Sequence, residues 1–497
     1  MLRKTTTLSG LNNIYTPLQQ SPLLSVSLPI LLCLMVGLLT AVLIAEQEWV
    51  LLAMVVVPVL LVPFVKLLLT QPFTAVLLWL LLYPIFFKIS GPLSRYTDWF
   101  LHYTLIPATI PLILFAMLLG FKQRHELKIG VPDLAMLLFL LLGFVNIMVL
   151  TPNPERTLVK FYFQIIIPFA FYWLIRIVKP QLLEFRYLAW IAIPVLLIQS
   201  SVGLLSWFAP ALLPDFWLSR ANARTTGTVG NPAVFTVILI FCAMLFFHYA
   251  IHARSRNRQI AFLLLVGLAF FSVFFSFSRG SWLGGILVWT GLLVVYPRLA
   301  RQLTFLVLLC CIPLALTLLT DQVTWARDRL ATEETVEGRL LGGNATWGLI
   351  QAKPWFGWGY DTHELYDEQF RTRVLNLAVN KEHSSHQTYL LIAAEMGVVG
   401  LVIYMFPVGW WLVKSGQNWR YLPRSGFLDR RLMMLLWLVM LQYFVVSNFT
   451  EMIHSNYVGT TIWWLTLGLI ANLAESRASV DAPTSRDKNY HSSRTWA

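Results

Sequence analysis

The chain has 497 residues, of which 57% are hydrophobic and 14% aromatic, while only 12% are charged. Its mean hydropathy of +0.67 is too high for a protein whose whole surface faces water, which excludes an ordinary soluble globular domain. The net charge of +13 comes from basic residues spread over short loops, not from one basic stripe with aromatics, which disfavours nucleic-acid binding.

The first apolar stretch begins near Ser25, after a polar tail that shows no small-residue cleavage site, so we expect the first helix to be retained. Apolar runs that could each form a spanning helix of roughly 20 residues recur almost to Leu473. Runs such as 303–319 are apolar on every face, unlike the alternating strands of a membrane barrel. The pattern predicts an all-α polytopic transmembrane helical bundle with about 12 to 14 spans.

The basic residues of alternate loops predict the orientation of this bundle. With the amino terminus in the cytoplasm, every second loop is basic, as the positive-inside rule requires of a cytoplasmic loop. These loops contain Lys122, Arg124 and Lys128; Arg176, Lys179 and Arg186; Arg254, Arg256 and Arg258; Arg298 and Arg301; and Lys414, Arg420, Arg424, Arg430 and Arg431. We therefore predict a multi-pass inner-membrane protein, with both termini cytoplasmic and few cations outside, chiefly Arg220, Arg224, Arg279, Arg339, Arg371 and Arg373.

The same assignment divides the chain into five parts. Residues 1–24 form a cytoplasmic tail, 25–320 the first part of the bundle, 321–385 a long periplasmic loop, 386–474 the second part of the bundle, and 475–497 a disordered cytoplasmic tail. Connections longer than about 15 residues are often functional, which directs attention to the periplasmic loop. The cysteines all lie in apolar runs and indicate neither a disulfide nor a metal site: Cys33, Cys242, Cys310 and Cys311.

Two arginine patterns stand outside the basic loops. The segment from Arg224 to Pro232 contains glycines that allow close backbone approach and an Asn-Pro pair that starts a helix, which suits an anionic ligand. The alternative is a loop whose arginine reaches lipid phosphate. The turn Ser278-Arg279-Gly280-Ser281 lies between two apolar spans, where an arginine costs about 2.5 to 3.5 kcal/mol and needs a partner or a cavity. A salt bridge within the bundle is the structural alternative there.

Two further patterns follow in the chain. Gly338-Arg339 precedes Trp347 and the run Pro354-Trp355-Phe356-Gly357-Trp358-Gly359, whose aromatics are typical of interfacial belt anchors. The second pattern, His383-Ser-Ser-His386-Gln387-Thr388-Tyr389-Leu390, leads into Glu395-Met396-Gly397. If this segment is helical, the two histidines share one face as a metal pair would, but no third ligand stands at a recognisable spacing. A histidine is also a natural general base for a hydroxyl nucleophile.

In this order and on one predicted side, these patterns resemble those of the bacterial O-antigen ligase and O-antigen polymerase-like membrane proteins. The resemblance covers roughly residues 220 to 405. It implies a GT-C-like, metal-independent glycosyltransferase without cofactor, whose donor is a glycan on a polyprenyl (undecaprenyl) diphosphate. Its acceptor would be a glycan, lipid A-core or another hydroxyl. The family commonly has Asn after the histidine, where this chain has Gln387.

The resemblance also implies roles for individual residues. Arg224, Arg279 and Arg339 would hold the donor diphosphate, and His386 would take the proton of the acceptor hydroxyl. Supporting positions would be Arg220, His383, Tyr389 and Glu395. The sequence does not choose between ligation to lipopolysaccharide, polymerisation, exopolysaccharide synthesis and protein glycosylation. A polytopic transporter of inorganic carbon or another solute is the alternative, for which inverted repeats and broken helices at mid-membrane would be expected.

Overall fold

A computed structural model describes residues 71–86, 129–218, 224–305, 324, 334–366, 387–455 and 457–475; for 334–341 and 455 it describes the backbone alone. The described chain is helical and contains no strand. The helices are α1 (Phe73–Phe86), α2 (Val131–Leu150), α3 (Pro154–Val178), α4 (Leu182–Phe208), α5 (Pro232–Ile251), α6 (Arg256–Phe274), α7 (Arg279–Val295), α8 (Glu334–Ala352), α9 (Thr388–Asn418), α10 (Arg430–Ser447), α11 (Met452–Ser455) and α12 (Tyr457–Glu475).

Eight of these described helices, namely α2 to α6, α9, α10 and α12, are long and apolar enough to cross a membrane. Two shorter apolar helices, α1 and α7, accompany them. The predicted fold class, a polytopic helical membrane bundle, is thereby confirmed. Several long helices are irregular: α3 contains a π-helical turn at Tyr162–Ile166, α9 breaks at Gly397, and α4 and α9 carry the internal prolines Pro194 and Pro407.

Helices α5 and α12 form the centre of the bundle. In their apolar windows 89% of the residues are buried, against 28% in α6 and 33% in α2. The outward face of α2 exposes Leu134, Leu138 and Leu141, which share one helical face, as expected where a span meets lipid acyl chains. Aromatic rings fill the space beside α12, where Trp464 packs edge-on against Phe169 with ring centroids 4.4 Å apart.

Successive spans reverse direction, so their ends form two groups. At one end the side-chain amides of Asn472 and Asn418 donate to the carbonyls of Ile175 and Ala474, both at 2.8 Å, which joins α3, α9 and α12. This end, here called the basic end, holds the described residues of the predicted cytoplasmic loops. The opposite end, here called the site end, holds the Arg224 loop, the start of α7 and the start of α9. Which end faces the cytoplasm stays a prediction.

Candidate functional site

The Arg224 loop is a buried, hydrogen-bonded structure at the site end. The backbone N–H and the hydroxyl of Thr225 both donate to the carbonyl of Phe275, at 3.3 and 2.7 Å. The Thr228 hydroxyl donates to the Pro84 carbonyl at 2.7 Å, and its N–H donates to Oε1 of Gln199 at 3.1 Å. The loop is therefore fixed to α1, α4 and the turn that precedes α7. These hydrogen bonds fix the position of the backbone beside Arg224, the first residue of the loop.

The loop ends in a side-chain cap that starts α5. Oδ1 of Asn231 accepts from the N–H groups of Ala233 and Val234, at 2.8 and 3.3 Å, and Pro232 takes the first helical position. At the other end of the loop, Nε of Arg224 is buried and has no hydrogen-bond partner among the described residues. A buried guanidinium N–H without a partner is costly unless a ligand or water completes it.

Arg279 begins α7 and is half-buried at the same end. Its neighbours fix the turn: the Thr236 hydroxyl of α5 donates to the Ser281 hydroxyl at 2.9 Å. A Cβ at Gly280 would stand 2.8 Å from the Cβ of Phe449, so the turn packs closely on the connection after α10. The Thr225 contact with Phe275 places the two arginine patterns on adjoining loops.

The start of α9 is tied to the same connection. The Thr388 hydroxyl donates to the Thr450 carbonyl at 2.8 Å and accepts from the N–H of Met452 at 2.8 Å. Because Phe449 and Thr450 are consecutive, one turn contacts both the Arg279 pattern and the first residue of α9. His386 precedes that residue by two positions in the sequence and lies outside the described residues.

The Trp-Phe-Gly-Trp-Gly run docks on the break in α9. Gly397 has φ of 73° and Gly357 has φ of 70°, both in the left-handed region that favours glycine. A side chain at Gly397 would overlap the carbonyl of Trp355, and one at Gly357 would overlap that of Glu395. The N–H groups of Trp358 and Gly359 donate to the carbonyls of Ala394 and Glu395, both at 3.0 Å. The two sequence patterns are therefore halves of one contact.

The aromatic side chains of this run differ in environment. Trp347 and Trp355 are exposed, as expected of interfacial anchors, with 54% and 67% of their surface accessible. Trp358 instead donates its indole N–H to the Leu349 carbonyl at 2.9 Å, and Lys353 lies over its ring at 4.0 Å. Trp358 thus fastens the run to α8.

Four charged groups meet behind this contact. Nζ of Lys160, on α3, lies 2.8 and 2.6 Å from the carboxylate oxygens of Asp361. Nδ1 of His454, on α11, lies 3.5 Å from Oδ1 of Asp361, and its Nε2 lies 3.2 Å from Oε2 of Glu395 on α9. Glu395 is 1% exposed. The cluster, called here the four-charge cluster, pairs two basic with two acidic side chains, which offsets the cost of burying the members that are shielded from water.

Neutral side chains complete this cluster. The Tyr360 hydroxyl donates to Oε1 of Gln164 at 2.7 Å, and its backbone N–H donates to Oδ1 of Asn146 at 2.8 Å. The Asn146 amide donates to the Phe356 carbonyl at 2.9 Å. Gln164 lies in the π-helical turn of α3, which supports a functional interpretation of that turn because π-turns often occur at functional sites.

The cluster sets the protonation of its members. Burial alone would lower the pKa of His454, but the Glu395 carboxylate and the hydrogen bond to Asp361 outweigh it and raise the pKa to about 10. Burial would raise the pKa of Asp361, yet the hydrogen bonds from His454 and Lys160 hold it below its usual value. His454 is therefore an imidazolium at neutral pH and has no free lone pair with which to accept a proton.

The remaining predicted site residues have different outcomes. Tyr389 packs against Phe444 with the two rings tilted by 34° and their centroids 5.2 Å apart. Arg339 lies on α8, and its side chain is outside the described part of the chain. Arg220, His383 and His386 also lie outside the described residues. Sequence reasoning named Glu395 but missed Lys160, Asp361 and His454, because the partners of each are distant in the chain. The left-handed φ of 60° at Asp361 is a local signal that only a structure reveals.

Comparison with known proteins identifies a family to which part of the chain is similar. Residues 260–405 match the family model described as O-antigen ligase. The match contains the Arg279 turn, α8, the docked glycine run and the start of α9, while the Arg224 loop precedes it. A comparison with curated proteins finds no match. The matched segment is therefore similar to O-antigen ligases, and it lies in a chain with eight described helices that are long and apolar enough to cross a membrane.

Proposed function

We propose that the chain is a metal-independent glycosyltransferase that transfers or polymerises a glycan carried on polyprenyl diphosphate at the outer face of the bacterial inner membrane. The site end would then face the periplasm, and both termini would be cytoplasmic. The observation that carries the proposal is the direct bonding of Thr225 to Phe275, which holds the Arg224 loop against the turn that leads into Arg279.

Two arginines on adjoining rigid loops suit a diphosphate. A guanidinium offers planar donors that match phosphate oxygens, keeps its charge at any physiological pH, and can stabilise the charge that develops on a leaving diphosphate. Arg224 has a buried Nε–H for which no partner is described, so it has a donor to offer. Arg339 is proposed as a third phosphate ligand on the family resemblance alone.

His386 is the proposed general base for the acceptor hydroxyl. His454 at the same end is held as a cation by its two carboxylates, so it is unsuited to that role. We assign the four-charge cluster a positioning role: it fixes the two sides of the connection that carries His386. One side is the Gly359 to His363 turn, where the His363 N–H lies 3.4 Å from Oε1 of Glu395, and the other is α9 itself.

The test is glycan transfer by the purified full chain in nanodiscs. The assay contains a polyprenyl-diphosphate glycan, candidate glycan and lipid A-core acceptors, and a chelator throughout. Arg224→Lys and Arg279→Lys keep the positive charge but lose the planar N–H donors of the guanidinium. We therefore expect each variant to slow donor consumption by about 10² to 10³ fold. Arg258→Lys, an exposed arginine at the basic end, is the matched control.

Donor consumption at the wild-type rate by both lysine variants, at equal expression, would overturn the diphosphate role. Solute uptake by the wild-type chain without any transfer would favour the transporter. Transfer that stops when chelator is added would contradict metal independence. The acceptor that is used would distinguish a ligase from a polymerase.

A further inference from the structure

A second polar cluster lies at the basic end, far from the arginine loops. It is formed by His248 and His252 at the end of α5 and by Asp429 at the start of α10. The i, i+4 spacing puts both imidazoles on one face, with ring centroids 4.5 Å apart. One nitrogen from each histidine and one carboxylate oxygen all lie within 4.8 Å of one another. His248 and Asp429 are 0% and 1% exposed.

The hydrogen bonds define which ring nitrogens carry a lone pair. Nε2 of His248 lies 2.7 Å from the Phe427 carbonyl, which can only accept, so this nitrogen carries the hydrogen and Nδ1 carries the lone pair. That Nδ1 is buried and has no hydrogen-bond partner among the described residues. Nδ1 of His252 likewise faces the His248 carbonyl at 3.0 Å, which leaves the lone pair of a neutral His252 on Nε2.

Two acceptor oxygens lie close to Nε2 of His252. Nε2 of His252 lies 2.9 Å from the Gly426 carbonyl oxygen and 3.8 Å from Oδ2 of Asp429. Oδ1 of Asp429 already caps α10 by accepting from the N–H groups of Arg431 and Leu432, at 2.9 and 3.1 Å. Oδ2 is buried and has no hydrogen-bond partner in the described part of the chain, although Nε of Arg431 lies 3.7 Å from it. Such a convergence of acceptors needs a cation, which is either a proton on His252 or a metal ion.

We propose that this cluster is a zinc site whose ligands are Nδ1 of His248, Nε2 of His252 and Oδ2 of Asp429, with the Gly426 carbonyl or a water in the fourth position. Imidazole nitrogens and a carboxylate oxygen in a four-coordinate set are ligands that Zn²⁺ prefers. Each histidine donates its other N–H to a backbone carbonyl, the arrangement that orients metal-binding histidines.

The ion would join two parts of the bundle. His248 and His252 belong to α5, whereas Gly426 and Asp429 lie in the connection between α9 and α10, so a bound zinc would fasten that connection to the central helix. The proposal is independent of the proposed glycosyl transfer, because the cluster and the arginine loops lie at opposite ends of the bundle. A structural zinc here is compatible with transfer that survives a chelator.

The experiment measures metal directly on the full chain. Detergent-purified protein is stripped with chelator, reloaded with Zn²⁺ or Co²⁺, and assayed for bound metal; bound Co²⁺ reports tetrahedral nitrogen and oxygen ligation through its visible absorption. We expect one equivalent of zinc in the wild type and loss of that equivalent in His252→Gln and Asp429→Asn. Asp429→Asn keeps an oxygen that can cap α10, so its loss of metal cannot be ascribed to loss of the helix.

Two further variants sharpen the result. His363→Gln removes a histidine at the site end and should keep the full equivalent of zinc. Arg431→Gln removes the cation that competes for Oδ2 and should bind zinc at least as tightly as the wild type. No bound zinc in the wild type, or equal zinc in Asp429→Asn and wild type, would overturn the proposal. A proton on His252 would then take the place of the metal ion, and the cluster would hold the connection between α9 and α10 by hydrogen bonds alone.

Discussion

The two ends of the bundle each bury a charge cluster, but they build it from different parts of the chain. At the basic end Arg176 bonds to Asp133 and to Glu475, the latter at 2.6 Å, and lies over the rings of Trp411 and Tyr172 at 5.4 and 5.7 Å. These groups come from the bodies and ends of four spanning helices.

At the site end the four-charge cluster takes two of its members, Asp361 and His454, from a turn and from the four-residue helix α11. The difference shows what each cluster stabilises. At the basic end ion pairs join helices to one another, whereas at the site end they hold the connections that border the proposed chemistry. Loss of the first should therefore affect folding, and loss of the second should affect transfer as well.

The largest expected effect concerns the proposed base at the site end. His386→Ala should slow glycan transfer by about 10² to 10⁴ fold, the range of a positioned acid-base group, while donor binding largely survives. His383→Ala is the matched comparison, because it removes a second histidine from the same segment. It should slow glycan transfer less than His386→Ala does. Transfer by His386→Ala at the wild-type rate would remove this residue from the mechanism.

At the basic end the effect should fall on stability. The Asp133 and Arg176 side chains are each 2% exposed, so Asp133→Asn would leave a buried guanidinium with one charged partner fewer. We expect a loss of about 3 to 5 kcal/mol, the usual cost of breaking a buried ion pair. The transfer rate per folded molecule should stay the same. The measurement is unfolding in detergent or SDS titration.

The control for this substitution is Asp215→Asn, an exposed aspartate in a short 3-10 turn. It should change stability by less than about 0.5 kcal/mol. Equal losses in both variants would mean that the buried pair is not what stabilises the basic end.

The helices and the patterned loops could be predicted from the sequence, because both are local. Apolar runs determine where spans lie, and Asn231-Pro232 starts α5 as expected. The four-charge cluster could not be predicted, since Lys160 and Asp361 are 201 residues apart and no periodicity links them. The same limit applies to Gly357 and Gly397: nothing in the sequence pairs them, and only the fold shows that the two backbones touch.

That backbone contact gives the next prediction. Gly397→Ala puts a side chain at φ of 73° and against the Trp355 carbonyl, so it should cost more than about 2 kcal/mol and shift the docked run. Gly416→Ala, on the same helix, adds a Cβ that has no described atom within 4 Å, so it should be neutral or stabilising by up to about 1 kcal/mol. Thermal unfolding of the two variants measures the difference, and equal midpoints would refute the docking argument.

The smallest expected effect is the change in the free energy of unfolding per pH unit, which arises from His454 at the site end. Because the pKa of His454 is raised to about 10 in the folded chain, its interactions stabilise the fold fully below about pH 6.5, the pKa of an exposed histidine. Between these values the folded chain holds one proton more than the unfolded chain. The free energy of unfolding should therefore fall by about 1.4 kcal/mol per pH unit as the pH rises from 7 to 9.

His454→Gln removes the titrating group, so the variant should be less stable at pH 7 but should lose this slope. Subtracting the variant's pH profile from that of the wild type cancels other groups that titrate in the same range. Parallel profiles would mean that His454 is not held as a cation. Its imidazole would then be free to accept a proton, and the assignment of the base to His386 would lose the argument that separates these two histidines.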